Sequence, residues 1–306
     1  MSTKIQEDCE KRLATTPKIK TIRVYYNIRV TLGILTMHPM LNISVRAARN
    51  ASKIILQSMG QLESVNITQK QRNDFVTEVD KASEREIINT IHKAYPNHAI
   101  LAEESGLSKG GDEDYLWIVD PLDGTTNYIH GLPHFCISIA FQYRGRLEHG
   151  VIYDPVGQEL FVASRGEGAQ LNDRRIRVSQ NHKLESALVA TGFPFKAPQQ
   201  FDSYLNTFHS ILSQTSDLRR SGSAALDLAY VAAARLDGYW ELSLSPWDIA
   251  AGILLVTEAG GMVSDFQGTE NSLSNGTVVA GNPRIFKAML ENIQRSLQLP
   301  AQKIPV

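Results

Sequence analysis

Two aspartates three residues apart stand where an apolar run stops: residues 117 to 127 read WIVDPLDGTTN, with Asp120 and Asp123 at the break. Ionised carboxylates this close repel, and desolvation at a buried strand end adds to the cost. A cation would offset both, and carboxylate oxygens select hard ions such as Mg²⁺ or Ca²⁺ over soft ones. Pro121 stiffens the turn, so the carbonyl of Leu122 can face inward as a neutral ligand. A blander arrangement fits the pair as well: a strand-to-turn transition in which the two acids cap a helix through Thr125. Gly124-Thr125-Thr126-Asn127 adds a glycine for close backbone approach and amides at a helix N-terminus, the makings of a phosphate cradle. A polar turn whose threonines bond local backbone would carry the same residues.

Other acids stand at the ends of expected elements. Glu103 and Glu104 close the strand AILAEE, as catalytic groups or as a solvated strand end. Asp248 lies in the first turn of SPWDIAAG, where the helix dipole by itself favours a carboxylate. Asp74 and Asp80 flank Thr77 in NDFVTEVD; either can orient a threonine or a water, or cap the next helix.

The elements that must position these groups follow from periodicity. Apolar residues at helical spacing predict a helix over 41–58, and a second runs from Asp80 to Tyr95, ahead of Pro96. The strand at AILAEE, the glycine-rich loop SKGGDEDY and a buried strand at Leu116–Val119 deliver Asp120. CISIAFQY, HGVIYDP, QELFVASR and RIRVS, parted by turn residues, read as an antiparallel meander. The second half alternates: strand SALVATGF, helices at Tyr204–Gln214 and Ala224–Arg235, strand DGYWEL, helix PWDIAAGILLVTEAGG, strands MVSDF and GTVVAGN, and a closing helix PRIFKAMLENIQRSL. Alternating blocks of this kind argue for a layered α/β or α+β sandwich. The expected division is 37–180 for the half with the paired aspartates and 181–306 for the other.

The chain has 306 residues, 42% hydrophobic and 21% charged, with formal net charge −1, so nothing global points to nucleic acid or a membrane. No apolar run is long enough for a transmembrane helix, and two cysteines, Cys9 and Cys136, define no disulfide framework, which favours the cytoplasm. Residues 1–36 differ from the rest: seven Lys/Arg face three Asp/Glu, and their removal leaves roughly −5. Three readings compete for this extension: a start site placed too early at the Met before Met37, a disordered basic arm, or a genuine extra element.

Taken together, DFVTEVD, AEES, WIVDPLDGTTN, GSAALDLAYVAAARLDGYWE and SPWDIAAGILLVTEAGG, in this order and spacing, resemble the inositol monophosphatase family from about Met37 to the C-terminus. The run RRSGSAALDLAYVAAARLDGYWE is most similar to the bacterial SuhB branch. The resemblance implies an αβαβα layered sandwich and Mg²⁺-dependent hydrolysis of a phosphate monoester, commonly myo-inositol 1-phosphate, with inhibition by Li⁺ and a homodimeric assembly. It implies a first metal site of Glu103, Asp120 and the Leu122 carbonyl, and a second of Asp120, Asp123 and Asp248. A third, weaker ion would sit by Glu103, making two to three in all. It assigns Thr125 and Asp80 to the attacking water, and the Gly124 and Thr125 amides to the phosphate. Glu241, the Gly222-Ser223-Ala224 turn and Arg219 fall to the hydroxyl-binding side, with Lys70 and Asp74 as supporting residues. Such chemistry needs no histidine or cysteine nucleophile, so His38, His130, His134 and His149 read as structural or surface residues and Cys136 as core. Relatives of similar architecture take fructose 1,6-bisphosphate, 3′-phosphoadenosine phosphates or histidinol phosphate. The SuhB branch further implies a protein-binding role in ribosomal RNA transcription, with NusA and RNA polymerase as partners.

Overall fold

The computed structural model describes residues 37–59, 67–71 and 74–299, the short stretches 67–71 and 74–77 through their backbone only. The extension expected over 1–36 lies outside the described residues.

Period-two alternation along the strands sorts side chains between two different cores. In the strand Asp112–Asp123 (β5), Trp117 and Val119 pack on one side and Ile118 on the other. The preceding strands are Ile67–Gln71 (β1), Asp74–Thr77 (β2), His98–Ala102 (β3) and Gly106–Ser108 (β4); those that follow are Cys136–Tyr143 (β6), Arg146–Asp154 (β7), Glu159–Ser164 (β8), Gly168–Leu171 (β9) and Arg174–Arg175 (β10). β3 to β10 form one sheet in the order β10-β9-β8-β7-β6-β5-β3-β4, in which only β3 and β5 run parallel. With both faces covered, its central strands read as nearly continuous apolar runs. Helices Pro39–Met59 (α1) and Glu78–Ala94 (α2) cover one face. The short helix Thr125–Ile129 (α3) follows β5 directly.

A second sheet is built from Leu188–Thr191 (β11), Asp217–Arg219 (β12), Gly238–Leu242 (β13), Met262–Ser264 (β14) and Thr277–Gly281 (β15), in the order β12-β11-β13-β15-β14. Helix Phe201–Leu212 (α4) lies on its outer side. Helices Ala224–Ala232 (α5) and Pro246–Glu258 (α6) lie between the two sheets, Ser272–Asn275 (α7) is a single turn, and Pro283–Ser296 (α8) packs beside α4. The result is the αβαβα sandwich. Because α5 and α6 are sandwiched, they are apolar almost all round, and they approach closely through small residues. A Cβ on Gly252 of α6 would come within 2.5 Å of Leu228 on α5, so glycine sets that spacing. No helix among the described residues is long and apolar enough to cross a membrane.

Several elements differ from the pattern-based expectation. The stretch expected as the loop SKGGDEDY already contains the start of β5, which begins at Asp112 rather than Leu116. RIRVS is not a strand beyond Arg175; the pairing there is made by β9 and the two-residue β10, because turn residues Asn172 and Asp173 adopt positive φ and close the hairpin early. The strands β4 and β12 and the turn α7 are too short for periodicity to reveal.

Candidate active site

A regular strand would throw Asp120 and Asp123 onto opposite faces, since an odd separation of three alternates sides. The structure resolves this with a bulge. Asp120 pairs with Ser138 and Asp123 with Cys136, three residues of β5 against two of β6, so both carboxylates project from one face. That face looks toward the N-termini of α5 and α6. Leu122 N–H donates to Asp120 Oδ1 at 3.0 Å, and Ser83 Oγ donates to the Pro121 carbonyl at 2.9 Å, which fixes the bulge. Gly124 then turns the chain with φ 101°, where a Cβ would lie 3.0 Å from the His134 carbonyl oxygen.

Asp123 is held from α5. Ser223 Oγ donates to Asp123 Oδ2 at 2.6 Å and Ala225 N–H donates to the same oxygen at 2.8 Å, while Ser223 also caps its own helix. Asp248 is held on α6: Ser245 N–H donates to its Oδ2 at 2.6 Å, in a capping box. Glu103 follows β3 and is anchored by its backbone N–H to the Val119 carbonyl at 3.2 Å. These four carboxylates, delivered by three separate segments, line one cavity of about 160 Å³ together with Leu122, Gly124 and Thr125. Burial, then the charges of Glu103, Asp123 and Asp248, push the Asp120 carboxyl well above the usual range. Burial also raises Asp123, opposed by the Ser223 and Ala225 donors.

Thr125 Oγ lies 3.0 Å from Asp80 Oδ1 and 3.1 Å from the Leu122 carbonyl oxygen, two acceptors for one hydroxyl proton. Its lone pairs are therefore available to accept a hydrogen bond from a water. Asp80 is fully buried on α2, and β2 packs against both α2 and α3.

The opposite wall is built from side chains already matched to one another. Glu241 on β13 lies against Gly192, where any Cβ would collide with its carboxylate, and Tyr239 donates its hydroxyl to Glu241 Oε2. Burial raises Glu241 to about 8, against the pull of Tyr239. Asp227, also buried and raised by burial, lines the same wall, and its Oδ1 has no hydrogen-bond partner among the described residues. The Gly222-Ser223-Ala224 turn lines the cavity, and Ser223 spans to Asp123. Arg219 does not reach it: its guanidinium pairs with Asp217 at 2.5 Å on the exposed edge strand β12. The neighbour Arg220 lines the cavity instead, stacked on Phe193 and Phe195 at 5.3 and 5.5 Å. Strand alternation explains the exchange, since consecutive residues face opposite ways. Lys196 and the Phe193-Pro194-Phe195 loop complete this side and were not anticipated; an aromatic-proline-aromatic run after SALVATG was the available signal. The side chains of Lys70 and Asp74 lie outside the described residues.

The donor set suits a hard divalent cation: all oxygen, four carboxylates and a carbonyl, with burial and then like charges raising the acid at their centre. Among the described residues no three acidic, histidine or cysteine side chains already stand in a single ligating cluster. Asp120, Asp123 and Asp248 each have one oxygen on a backbone amide. His134 packs edge-on against Tyr230, His149 bonds Ser164, and the buried Cys136 lies beside Asp123, its Sγ 3.9 Å from Oδ2.

The sequence model of the inositol monophosphatase family matches residues 36–298. Nus factor SuhB of Pseudomonas aeruginosa is 56% identical over 265 residues, covering 85% of this chain and 98% of that protein. Among solved structures, the extragenic suppressor protein suhB from Bartonella henselae superimposes with a TM-score of 0.82 at 41% identity, covering 84% of this chain and 99% of its own. Inositol monophosphatase from Anabaena sp. PCC 7120 gives a TM-score of 0.76 at 40% identity, covering 85% and 96%.

Proposed function

The chain belongs to the inositol monophosphatase family, and from that premise we propose that it is a Mg²⁺-dependent phosphomonoesterase acting on a small phosphorylated polyol, with myo-inositol 1-phosphate as its substrate. The convergence of Glu103, Asp120, Asp123 and Asp248 on one cavity carries this reading. Glu103, Asp120 and the Leu122 carbonyl would hold one ion, Asp120, Asp123 and Asp248 a second, and Glu103 a weaker third. When bound, Mg²⁺ neutralises the acidic wall, polarises the phosphoryl group and acidifies a water molecule.

The protein's own residues do the rest. The Thr125 hydroxyl, its proton on Asp80, accepts from the attacking water and fixes its orientation. The Gly124 and Thr125 amides bind phosphate oxygens. Glu241 and the Gly222-Ser223-Ala224 turn face the hydroxyls of the alcohol, and Arg220 with Phe193 and Phe195 limits the depth of that end. Water attacks phosphorus, the ester oxygen departs with a proton, and inorganic phosphate and the polyol remain. A panel of myo-inositol 1-phosphate, fructose 1,6-bisphosphate, 3′-phosphoadenosine 5′-phosphate and histidinol phosphate tests the substrate. The highest kcat/KM on the inositol ester is expected; a strong preference for a bisphosphate would overturn this choice. The same reading carries Li⁺ inhibition, a homodimer and a cytoplasmic location.

A second role is favoured by one observation, the 56% identity to a protein named Nus factor SuhB. On this reading the chain also binds NusA and RNA polymerase in ribosomal RNA transcription, without turnover. Asp120→Asn separates the two roles. Rescue of a transcription defect by a catalytically silent chain supports the binding role, and failure despite normal folding ties the phenotype to catalysis.

A further inference from the structure

A second cavity, of about 430 Å³, shares no lining residue with the carboxylate site. It opens between the β6–β7 hairpin turn, the C-terminal half of α6 and the segment that enters α7. Asp248, at the other end of α6, is nine residues from Thr257, so the two cavities lie about 14 Å apart along that helix.

Three arginines line this cavity, Arg144, Arg146 and Arg165, against one carboxylate, Glu270. All three are anchored the same way, through Nε. Arg144 Nε donates to Asp114 at 2.8 Å, Arg146 Nε to Glu148 at 2.6 Å, and Arg165 Nε to the Leu147 carbonyl at 2.6 Å. No terminal guanidinium nitrogen of the three takes a hydrogen bond within the protein among the described residues. Anchoring by Nε holds each fork in place and leaves its terminal N–H groups for a ligand. Asp114 and Glu148 offset two of the three charges but do not themselves line the cavity. Ser272 also lines the cavity and is 3% exposed; its hydroxyl is buried, with no hydrogen-bond partner among the described residues. Leu147, Ile253 and Val263 make the remaining wall apolar.

We infer that this cavity is a second binding site, for a small phosphate-bearing molecule whose phosphoryl oxygens meet the three arginine forks, and whose body rests on the apolar wall. Phosphate suits the arrangement better than carboxylate, because several terminal oxygens can engage three separate guanidinium groups. The inference does not depend on the catalytic reading.

Calorimetric titration of the full chain with inorganic phosphate and with phenyl phosphate, in the presence of a chelator, tests it. Chelation silences phosphate binding that depends on metal at the carboxylate site, so a remaining saturable site is the one proposed. Phenyl phosphate is expected to bind more tightly than inorganic phosphate if the apolar wall is used; equal affinity would assign the site to free phosphate. Arg146→Ala with Arg165→Ala should weaken binding about tenfold or more. Both arginines are exposed, so melting temperature should hold, and phosphatase activity in Mg²⁺ should persist. No saturable binding in chelator, or binding unchanged in the double variant, overturns the inference. Loss of phosphatase activity with this binding intact would count against the catalytic reading alone.

Discussion

The two walls of the candidate active site are built on opposite principles. The acidic wall gathers Glu103, Asp120, Asp123 and Asp248 from the ends of β3 and β5 and the start of α6, and the backbone holds them: a bulge, a capping box and helix amides. Burial, and then the charges that oppose one another, push Asp120 up. On the facing wall most side chains pair with one another: Tyr239 bonds Glu241, and Arg220 lies over Phe193 and Phe195, with Asp227 Oδ1 the exception. Crowded like charges on one side and largely paired side chains on the other separate a wall suited to a cation from one that, on the proposed function, would present a shaped surface to the substrate.

Breaking the acidic wall should have the largest effect. Asp120→Asn is expected to lower kcat by about a thousandfold or more, since one carboxylate serves both proposed ions. In chelator its melting temperature should equal or exceed that of the parent chain, because a buried repulsive charge is gone; a large fall in stability would mean the cluster is structural.

The facing wall should respond in binding rather than in chemistry. Glu241→Gln is expected to raise KM about tenfold with a smaller change in kcat. The same variant carries a pH signature. Folding raises Glu241 from 4.5 to about 8, so its contribution to stability is fully present below pH 4.5 and lost as pH climbs through about 8. Unfolding measured across that window in chelator should show a decline that Glu241→Gln flattens; an unchanged slope would remove Glu241 as its source.

Ser223 joins the two walls, capping α5 and bonding Asp123. Ser223→Ala should cost about 1 kcal/mol in stability and about tenfold in kcat. Loss of stability with full activity would show that Asp123 does not need that donor. The smallest and most diagnostic contrast lies on β12 and its exit. Arg220→Ala should reduce kcat/KM about fivefold, whereas Arg219→Ala, exposed and paired with Asp217, should stay within about twofold. The reverse order would restore Arg219 as the substrate contact.

The difference between the walls also decided what could be read in the sequence. Residues of the acidic wall are carboxylates at element ends, and WIVDPLDGTTN carries its turn chemistry in its own letters, so the acids were legible before any coordinates. The bulge that turns Asp120 and Asp123 to one face was not, because register depends on pairing with Ser138 and Cys136 rather than on local composition. On the facing wall, which of two adjacent arginines points inward depends on a three-residue strand too short for any periodic signal. The layered fold was legible because long strands and helices repeat their pattern many times, while β4, β9 and β12 offer three or four residues each. The tie from Ser223 to Asp123 crosses 100 residues of sequence and could not be inferred from either end.

Phosphate release from myo-inositol 1-phosphate, followed while Mg²⁺ is removed by a chelator and then returned, tests the central claim most directly. Activity should vanish on chelation and return saturably with added Mg²⁺, because the acidic wall is proposed to work only through the ions it holds. Full activity in excess chelator would contradict that account.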